Sequence, residues 1–354
     1  MSLDKLKGEA KRLRAHLSDA HGVNLKHASV LEAVAASHGA RNWTALANSA
    51  KPRPGLARRL ANALHPETPQ PLTAVDAAYD IDPGHLKFGV AADGKAHKLN
   101  YAAMRRHTLV VGMPGTGAKL LIEDILAQQV ALGGGMLVLG IFSTTAAAQQ
   151  LLQPVCDEVG RSDLSCVPCA AAPTTKAALD LKEVFARDQC VVVDIPLLEG
   201  PPGAAAAKVE EYAFQLCTYA FELAGQENRA DAPFLIVAPL LPDFTLERWG
   251  ALLAQARAFN VALVMATPSL AHLEAANPAL MEAVLGNTAT KVFLKPANDA
   301  EREIVKTRLG APDAGGRYSA AELQEGLATL DTGEALVLHR GAVSRIKVRY
   351  LTPS

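Results

Sequence analysis

The stretch His107-Thr-Leu-Val-Val-Gly112-Met-Pro-Gly115-Thr-Gly117-Ala-Lys119-Leu runs from an apolar segment into a glycine-rich one. Thr108 to Val111 is short and rich in β-branched residues, which predicts a buried strand. Leu120 to Leu132 has helical spacing and ends at Gly133-Gly134-Gly135, which predicts a helix with a glycine stop. A strand, a glycine loop and a helix in this order are typical of a P-loop, the phosphate-binding motif G-x-x-x-x-G-K-[ST].

The loop has the glycines of this motif but not the lysine and the hydroxyl side chain that follow them. Ala118 stands at the lysine position and Lys119 at the Ser/Thr position. In a working loop the lysine neutralises the β and γ oxygens of the nucleotide, and the hydroxyl binds Mg²⁺. We therefore expect no catalytic residue and no metal, and at most a weak phosphate site on Gly112, Gly115, Thr116, Gly117, Ala118 and Lys119. The alternative is an ordinary Gly/Pro turn in an α/β protein.

The composition indicates a cytoplasmic protein with an aromatic-poor core. Of the 354 residues 49% are hydrophobic but only 5% are aromatic, so Ala, Leu and Val must form the core. The five cysteines are scattered and odd in number, and no stretch resembles a secretory signal. Cys166-Val-Pro-Cys169 has no second cysteine pair and no nearby histidine, which disfavours a zinc or redox site. No apolar run reaches the length that spans a bilayer, so membrane insertion is not expected.

The charge is distributed unevenly along the chain. Residues 1–60 contain eleven Lys/Arg against four acidic residues, a net charge of +7, so the remainder carries −8 of the total of −1. We call residues 1–60 the basic head. Its charge is compatible with nucleic-acid binding, although these charges also suit the solvated faces of small helices. The candidate phosphate contacts in the head are Lys5, Lys7, Lys11, Arg12, Arg14, Arg58 and Arg59.

Three segments follow one another along the chain. Residues 1–50 have helical spacing over 3–20 and 29–37 and around Trp43, which predicts a small basic all-α domain. Residues 51–85 contain five prolines within 51–72, which indicates a linker. Residues 86–354 alternate apolar, strand-like runs with helix-like stretches. This alternation predicts an α/β domain with a doubly wound, mostly parallel sheet.

The predicted elements of this α/β domain are short. Helices are expected at 120–132, 204–224, 246–258 and 278–284, and hairpins at both ends of the domain, over 86–99 and 334–350. The expected buried strands are 108–111, 136–141, 190–195, 234–237, 261–265 and 291–294.

In their order and in their amino-acid sequence, these segments resemble the ATPase domain of conjugative type IV coupling proteins, the TraD/TraG-like members of the FtsK/HerA group of P-loop motors. The resemblance covers roughly residues 86–350. It implies a RecA-like fold, partners in a conjugation or secretion apparatus, DNA as a ligand and assembly of several copies. The stretches that carry it are 107–112, 128–141, 233–237, 255–264, 286–293 and 332–341.

The departures from this family concern the residues of hydrolysis. The family has an Asp-Glu pair after the strand equivalent to 234–237, where Asp orders Mg²⁺ and Glu activates water, but this chain has Ala238-Pro239. A glutamine commonly follows the strand equivalent to 261–265, but here the residues are Ala266-Thr267-Pro268. Asp194 is the one tempting substitute for the missing aspartate, although its segment corresponds to a non-catalytic strand in the family.

These observations favour a pseudo-ATPase relative of coupling proteins that binds DNA or partner proteins without hydrolysing nucleotide. One alternative is an active ATPase that uses ATP and Mg²⁺, in which Lys119 replaces the missing lysine and Arg257 acts across a subunit interface as an arginine finger. The other is a DNA-binding adaptor whose α/β body only forms oligomers. The head resembles small helical modules of plasmid-borne proteins that are labelled glyoxalase-related, but it lacks the spacing of Glu and His that a glyoxalase metal site needs.

Overall fold

The computed structural model describes residues 82–169, 179–197, 199–223, 232–309 and 319–349, together with residues 11, 29–31 and 34–35. The chain divides into two units, residues 1–68 and 69–354. In the first unit, residues 29–31 and 34–35 are helical, and Val30 and Val34 are buried, as predicted for the helix at 29–37. Lys11 is helical and exposed. The other predicted helices and the remaining basic candidates of the head lie outside the described residues.

The described part of the second unit contains eleven strands, which all belong to one sheet. In chain order they are β1 (His85–Ala91), β2 (Ala96–Asn100), β3 (Thr108–Val111), β4 (Met136–Leu139), β5 (Leu164–Pro168), β6 (Cys190–Asp194), β7 (Phe234–Pro239), β8 (Val261–Thr267), β9 (Thr290–Leu294), β10 (Glu334–His339) and β11 (Ala342–Lys347).

The helices of the described part of this unit connect the strands. They are α1 (Tyr101–Met104), α2 (Ala118–Ala131), α3 (Thr145–Glu158), α4 (Leu181–Ala186), α5 (Ala204–Glu222), α6 (Leu246–Gln255), α7 (Leu270–Ala276), α8 (Pro278–Asn287), α9 (Asp299–Leu309) and α10 (Ala320–Ala328), with a 3₁₀ helix at Ala256–Phe259.

The strand order is β2-β1-β11-β10-β9-β3-β8-β7-β4-β6-β5. The seven strands from β9 to β5 are parallel, and the other four add an antiparallel extension at the β9 side. This arrangement confirms the predicted α/β class with a doubly wound, mostly parallel sheet. In a parallel sheet the loops that follow the strands meet at the carboxyl edge, so the loop after β3 lies at this edge beside the ends of β8 and β9.

Both faces of the sheet are covered, which explains why its central strands are continuously apolar. Val110 belongs to the cluster that packs under α2 and α3, whereas Leu109 and Val111 belong to the cluster that packs under α4 to α10. β3 is fully buried over all four residues. Two covered faces and a buried central strand fix the position of the Gly112–Lys119 loop in the fold.

The amino end of β3 is fixed by His107, which adopts a left-handed conformation with φ 63°. Its Nδ1 accepts a hydrogen bond from the Leu263 backbone N–H (3.0 Å), and its Nε2 lies 3.0 Å from the Leu253 carbonyl oxygen. The acceptor role of Nδ1 requires the tautomer that carries its proton on Nε2. A neutral imidazole therefore joins β3 to β8 and to α6.

The two glutamines of α2 are structural as well. The Gln128 side chain pairs with both backbone groups of Lys87 in β1, at 2.8 Å each. The Gln129 side-chain amide donates to the carbonyl oxygens of Gly135 and Pro233. Buried amides that pair with backbone groups anchor a helix against the sheet, because an unpaired backbone group at the same place would cost free energy. The Gln128 amide is paired through both its oxygen and its nitrogen, whereas the buried Gln129 Oε1 has no hydrogen-bond partner among the described residues. Gln128 thus connects α2 to the antiparallel extension, and Gln129 connects it to the starts of β4 and β7.

The structure adds elements that the sequence pattern did not predict and moves some boundaries. β5 was missed because it is a half-buried edge strand that ends in Pro168, a residue that edge strands tolerate. The helix α3 was missed because it contains Pro154, which usually ends a helix. Gly117 caps α2, which begins at Ala118 rather than at Leu120. The predicted helix 246–258 ends at Gln255 and continues as a 3₁₀ turn.

We predict that stability depends on the pH through His107. Burial lowers the pKa of His107 to about 4 from its usual 6.5. Because the folded pKa lies below the unfolded one, this contribution is fully present above pH 6.5 and is lost as the pH falls towards 4. It amounts to about 3 kcal/mol. Urea unfolding between pH 7.5 and 4.5 measures it.

The control for this prediction is His107→Gln, which does not titrate in this range. At pH 7.5 we expect the variant to be less stable by about 1–2 kcal/mol, because one amide cannot make both hydrogen bonds of the imidazole. Its stability should also fall less steeply between pH 6.5 and 4.5. Equal slopes for the two proteins would contradict the role of His107.

Candidate functional site

The Gly112–Lys119 loop forms a tight turn between β3 and α2. Thr116 closes it, because both its backbone N–H and its hydroxyl donate to the Met113 carbonyl oxygen, at 3.1 and 2.7 Å. Gly115 and Gly117 have φ of 84° and 111°, a region that favours glycine. At Gly112 an added Cβ would lie 2.8 Å from the Thr116 hydroxyl oxygen. The glycines are therefore needed for the shape of the loop itself.

Several backbone N–H groups remain open at this turn. Within the described part of the chain, the N–H groups of Gly115, Gly117, Ala118 and Lys119 have no acceptor. Three of these groups belong to the start of α2, where a helix has no intrahelical partners for its first N–H groups and carries partial positive charge. The backbone of the predicted phosphate loop thus keeps the donors that a phosphate group needs.

The side chains of the loop do not converge on these donors. Lys119 lies on the first turn of α2, and its Nζ pairs with Glu123 Oε1 at 3.6 Å. Its side chain is 62% exposed. Ala118 has no polar group, and the Thr116 hydroxyl is occupied by Met113. The loop therefore presents backbone donors without a side-chain cation directed at them.

The strand order brings the two other positions of a nucleotide site next to the loop. β8 lies between β3 and β7, with Val111 opposite Thr267 and Ala266 opposite Pro239. Two strand spacings separate the end of β7 from the loop, about 10 Å. Both ends carry apolar or neutral residues, and Ala238 is buried in the core. No group of three or more His, Cys, Asp or Glu side chains suited to a metal ion occurs among the described residues.

Two buried carboxylates near the loop were missed by the sequence analysis, because single acidic residues in helices carry no pattern. Asp124 of α2 bonds to Arg349 at 3.1 Å and to Gln128 at 3.0 Å. Burial raises the pKa of Asp124, and the bond to Arg349 opposes this rise. Glu301 of α9 accepts from Ser269 and from the backbone N–H groups of Leu270 and Ala271. Both carboxylates are thus committed to the fold.

Glu301 also borders a shallow depression beside Gly112. Its other lining residues come from the ends of β3, β8 and β9 and from α9 and α10: Val111, Pro268, Phe293, Leu294, Lys295, Pro296, Val305 and Leu327. The lining is mostly apolar. Lys295 is exposed and is the one cation of this lining, a contribution from β9 that the loop sequence could not indicate.

Other residues considered in the sequence analysis lie away from the loop. Asp194 ends β6, the fourth strand from β3, about 19 Å across the sheet. Arg257 is exposed in the 3₁₀ turn before β8, at the amino edge, so it is not part of this site within one chain. Its predicted action across a subunit interface stays a prediction. Cys166 and Cys169 pack on opposite faces of the sheet, an arrangement that does not suit a shared metal.

The family model described as glyoxalase superfamily protein matches residues 1–65. No curated protein sequence matches the chain.

Solved structures match the α/β part. The bacterial conjugative coupling protein TrwBΔN70 has a TM-score of 0.51 and 12% identity, over 75% of this chain and 89% of that one. VirB4 of Thermoanaerobacter pseudethanolicus has a TM-score of 0.50 and 11% identity, over 76% of this chain and 97% of that one. The cytoplasmic domain of the type VII secretion ATPase EccC of Thermomonospora curvata has a TM-score of 0.47 and 12% identity. The chain covers 27% of that protein, and 77% of this chain is aligned.

The strand order, the loop between β3 and α2 and the likeness to TrwBΔN70 and VirB4 define the class: the second unit has the RecA-like fold of P-loop ATPases. One of these structural neighbours is a conjugative coupling protein. At 11–12% identity the likeness concerns the fold. No helix among the described residues is long and apolar enough to cross a membrane.

We predict that Gly117→Ala destabilises the protein more than Gly115→Ala. Both changes place a side chain in the left-handed region, which costs about 1–2 kcal/mol. At Gly117 the added Cβ would also lie 3.1 Å from Leu294 Cδ2, whereas Gly115 faces open space. Urea unfolding of both variants gives the difference, which we expect to be about 1 kcal/mol. Equal losses would mean that the loop is not packed against β9.

Proposed function

We propose that this protein is a pseudo-ATPase relative of type IV secretion and conjugation coupling proteins, which binds DNA or partner proteins without hydrolysing nucleotide. One observation carries the proposal. The ends of β3, β8 and β7 are adjacent, as a nucleotide site requires, but they bear Ala118, Ala266-Thr267 and Ala238-Pro239. The strand ends are thus arranged as in a phosphoryl-transfer site, but the residues at these positions are uncharged.

The residues present do not fit a magnesium nucleotide. Phosphoryl transfer depends on positioning and on electrostatic stabilisation, because the protein contributes little covalent chemistry. The hydroxyls of Thr116 and Thr267 donate to the carbonyl oxygens of Met113 and Ser269, and neither the loop nor the ends of β7 and β8 carry a carboxylate for the metal. Asp124 and Glu301 are the buried acids nearest to the loop in the fold, and both are engaged in structural hydrogen bonds. We therefore derive no hydrolytic step for this site.

A weak affinity for phosphate is compatible with this proposal. The open N–H groups of Gly115, Gly117, Ala118 and Lys119 and the partial positive charge of α2 need no side chain to attract an anion. Without a lysine and a metal, we expect binding weaker than micromolar. The loop would then serve as a structural relic or as a low-affinity sensor of phosphate groups.

The first alternative is an active ATPase that uses Lys119. The position of Lys119 on the exposed first turn of α2, paired with Glu123, disfavours it. A slipped lysine would have to leave this ion pair, which is a small cost, but the metal ligands would still be missing. The second alternative, a DNA-binding adaptor with an oligomerising body, remains open for the basic head and is compatible with the same fold.

Partners and location follow from the same reasoning. The fold neighbours include a conjugative coupling protein, so we expect components of a conjugation or secretion system as partners. A cytoplasmic location and assembly into a homo-oligomer belong to the proposal. Such an assembly would also be needed for any role of Arg257 towards a neighbouring copy.

We predict that hydrolysis of Mg²⁺-ATP by the purified chain does not exceed the background rate. The reason is the joint absence of charge neutralisation and of metal positioning. Lys119→Ala should change neither this rate nor the affinity for nucleotide, because the Lys119 side chain points away from the loop. A turnover on the order of 1 s⁻¹, within the usual enzyme range, that Lys119→Ala abolishes would refute the pseudo-ATPase proposal.

We also predict that the loop can be repaired in part. Ala118→Lys combined with Lys119→Thr restores the motif, and we expect Mg²⁺-ATP to bind at least about tenfold more tightly, equal to about 1.4 kcal/mol. Turnover should stay at background, because β7 still ends in Ala238-Pro239. Isothermal titration calorimetry measures the affinity, and the control is Ala118→Met with Lys119→Val. An equal affinity of the repaired and control proteins would show that this backbone is no phosphate cradle.

A further inference from the structure

The amino edge of the sheet, opposite to the P-loop, carries a row of cations. Arg105 and Arg106 precede β3, Arg257 precedes β8, Lys291 lies near the start of β9, and Arg340 follows β10. We call these five residues the basic edge. β3 has four residues at about 3.3 Å each, so the basic edge lies about 13 Å from the loop. A ligand bound at the basic edge would therefore not occupy the P-loop site.

Backbone and side-chain contacts hold the basic edge together. The Ala289 N–H donates to the Arg106 carbonyl oxygen at 2.9 Å, and the neighbouring Thr290 hydroxyl contacts His339 Nδ1 at 2.9 Å. His339 directly precedes Arg340. On the other side, Arg105 Nε donates to Asn260 Oδ1 at 2.6 Å, just after the turn that contains Arg257. The row from β8 to β10 spans three strand spacings, about 14 Å.

Three of the five cations have no carboxylate partner among the described residues. Arg106, Arg257 and Arg340 are exposed, and none of the three forms a salt bridge within the part of the chain that the structure describes. Burial lowers the pKa of His339 and of His107; the charges of Arg340 and Arg106 lower the pKa of His339 further, and the charge of Arg257 lowers that of His107 further. Cations that repel one another at a folded edge are destabilising unless an anion completes them.

Arg340 presents its charge from a strained backbone position. Arg340 and Gly341 form the two-residue turn between β10 and β11, with φ of 47° and 71°. Turns of this kind favour Asn or Gly, because a longer side chain is strained at positive φ. An arginine at this position stabilises the hairpin less than Asn would, yet it places a guanidinium at the edge.

An exposed aromatic ring lies beside the row. Phe221, at the end of α5, is 65% exposed, although the chain has only nine phenylalanines. Its ring packs edge-on against Phe259, two residues after Arg257, with centroids 5.3 Å apart. Through Phe259 this exposed ring lies at the Arg257 end of the row. Exposed rings combined with cations are what binds single strands, with the cations for the phosphates and the ring for a base.

We propose that the basic edge and Phe221 form a binding surface for single-stranded nucleic acid. The arginines contact phosphates, a group that the planar guanidinium fork matches well, and Phe221 stacks on an unpaired base. Binding is expected without sequence preference. This inference rests on the DNA-binding part of the proposed function and assigns it a surface outside the basic head; it does not depend on the state of the P-loop.

The test uses the full chain and fluorescein-labelled 30-nucleotide DNA, single-stranded or duplex, followed by fluorescence anisotropy from 50 to 200 mM NaCl. The triple variant R106Q/R257Q/R340N should bind the single strand at least about tenfold more weakly at 100 mM salt. Its salt slope should be smaller by about 2, from three lost phosphate contacts. Asn at 340 suits the turn, so the hairpin is kept. The matched control is R248Q/K208Q/K306Q, which removes three cations from α6, α5 and α9, away from the amino edge.

Phe221→Ala tests stacking separately. It should weaken single-strand binding by about tenfold and leave duplex binding unchanged, whereas Phe214→Ala on the same helix should change neither. Equal losses in the triple variant and its control, or no binding of the full chain at 50 mM salt, would overturn the proposal. So would poly-glutamate competing as well as DNA, since the edge would then fit an acidic protein. None of these outcomes bears on ATP hydrolysis, so the two proposals fail separately.

Discussion

The burial of β3 between β8 and β9 is the constraint on which the rest of the structure depends. All four residues of β3 are inaccessible, so both faces of the sheet must be covered by helices and both neighbouring strands must be apolar. Its amino end is fixed by His107, and its carboxyl end can only continue as the tight glycine turn. Because His107 has to be neutral to accept from Leu263, the same constraint makes the fold sensitive to acid.

The fold and the chemistry of a nucleotide site are separable in this protein. The turn at Gly112–Lys119 is determined by backbone geometry and by contacts with Leu294 and Gly333, none of which needs a catalytic side chain. The side chains of hydrolysis contribute little to folding, since they face the ligand rather than the core. The sheet can therefore form with Ala118 and Ala238-Pro239 at these positions, as the arrangement of β3, β8 and β7 illustrates.

The two edges of the parallel sheet then have different properties. At the carboxyl edge, open N–H groups meet neutral side chains, and the nearby acids serve as a cap and as a partner for Arg349. At the amino edge, exposed arginines lie without compensating carboxylates among the described residues. If nucleic acid binds at the amino edge, then the cations that bind phosphates in this fold lie at the amino edge and not at the phosphate loop. A binding role does not require hydrolysis, which makes the two proposals compatible.

The sequence by itself determined the class of the fold and the identity of the loop. Continuous apolar runs such as Val191–Val193 favour strands that are covered on both faces, and Gly115 and Gly117 indicate a turn whatever the surrounding fold. The sequence also shows that Ala118 stands at the lysine position of the loop and that Ala238-Pro239 stands where the family has its Asp-Glu pair. Only the tertiary structure decided which strands are neighbours, that Lys119 pairs with Glu123, and that Asp124 and Glu301 are occupied. Arg106, Arg257 and Arg340 lie far apart in the chain, and no local pattern joins them, because their proximity comes from strand order alone.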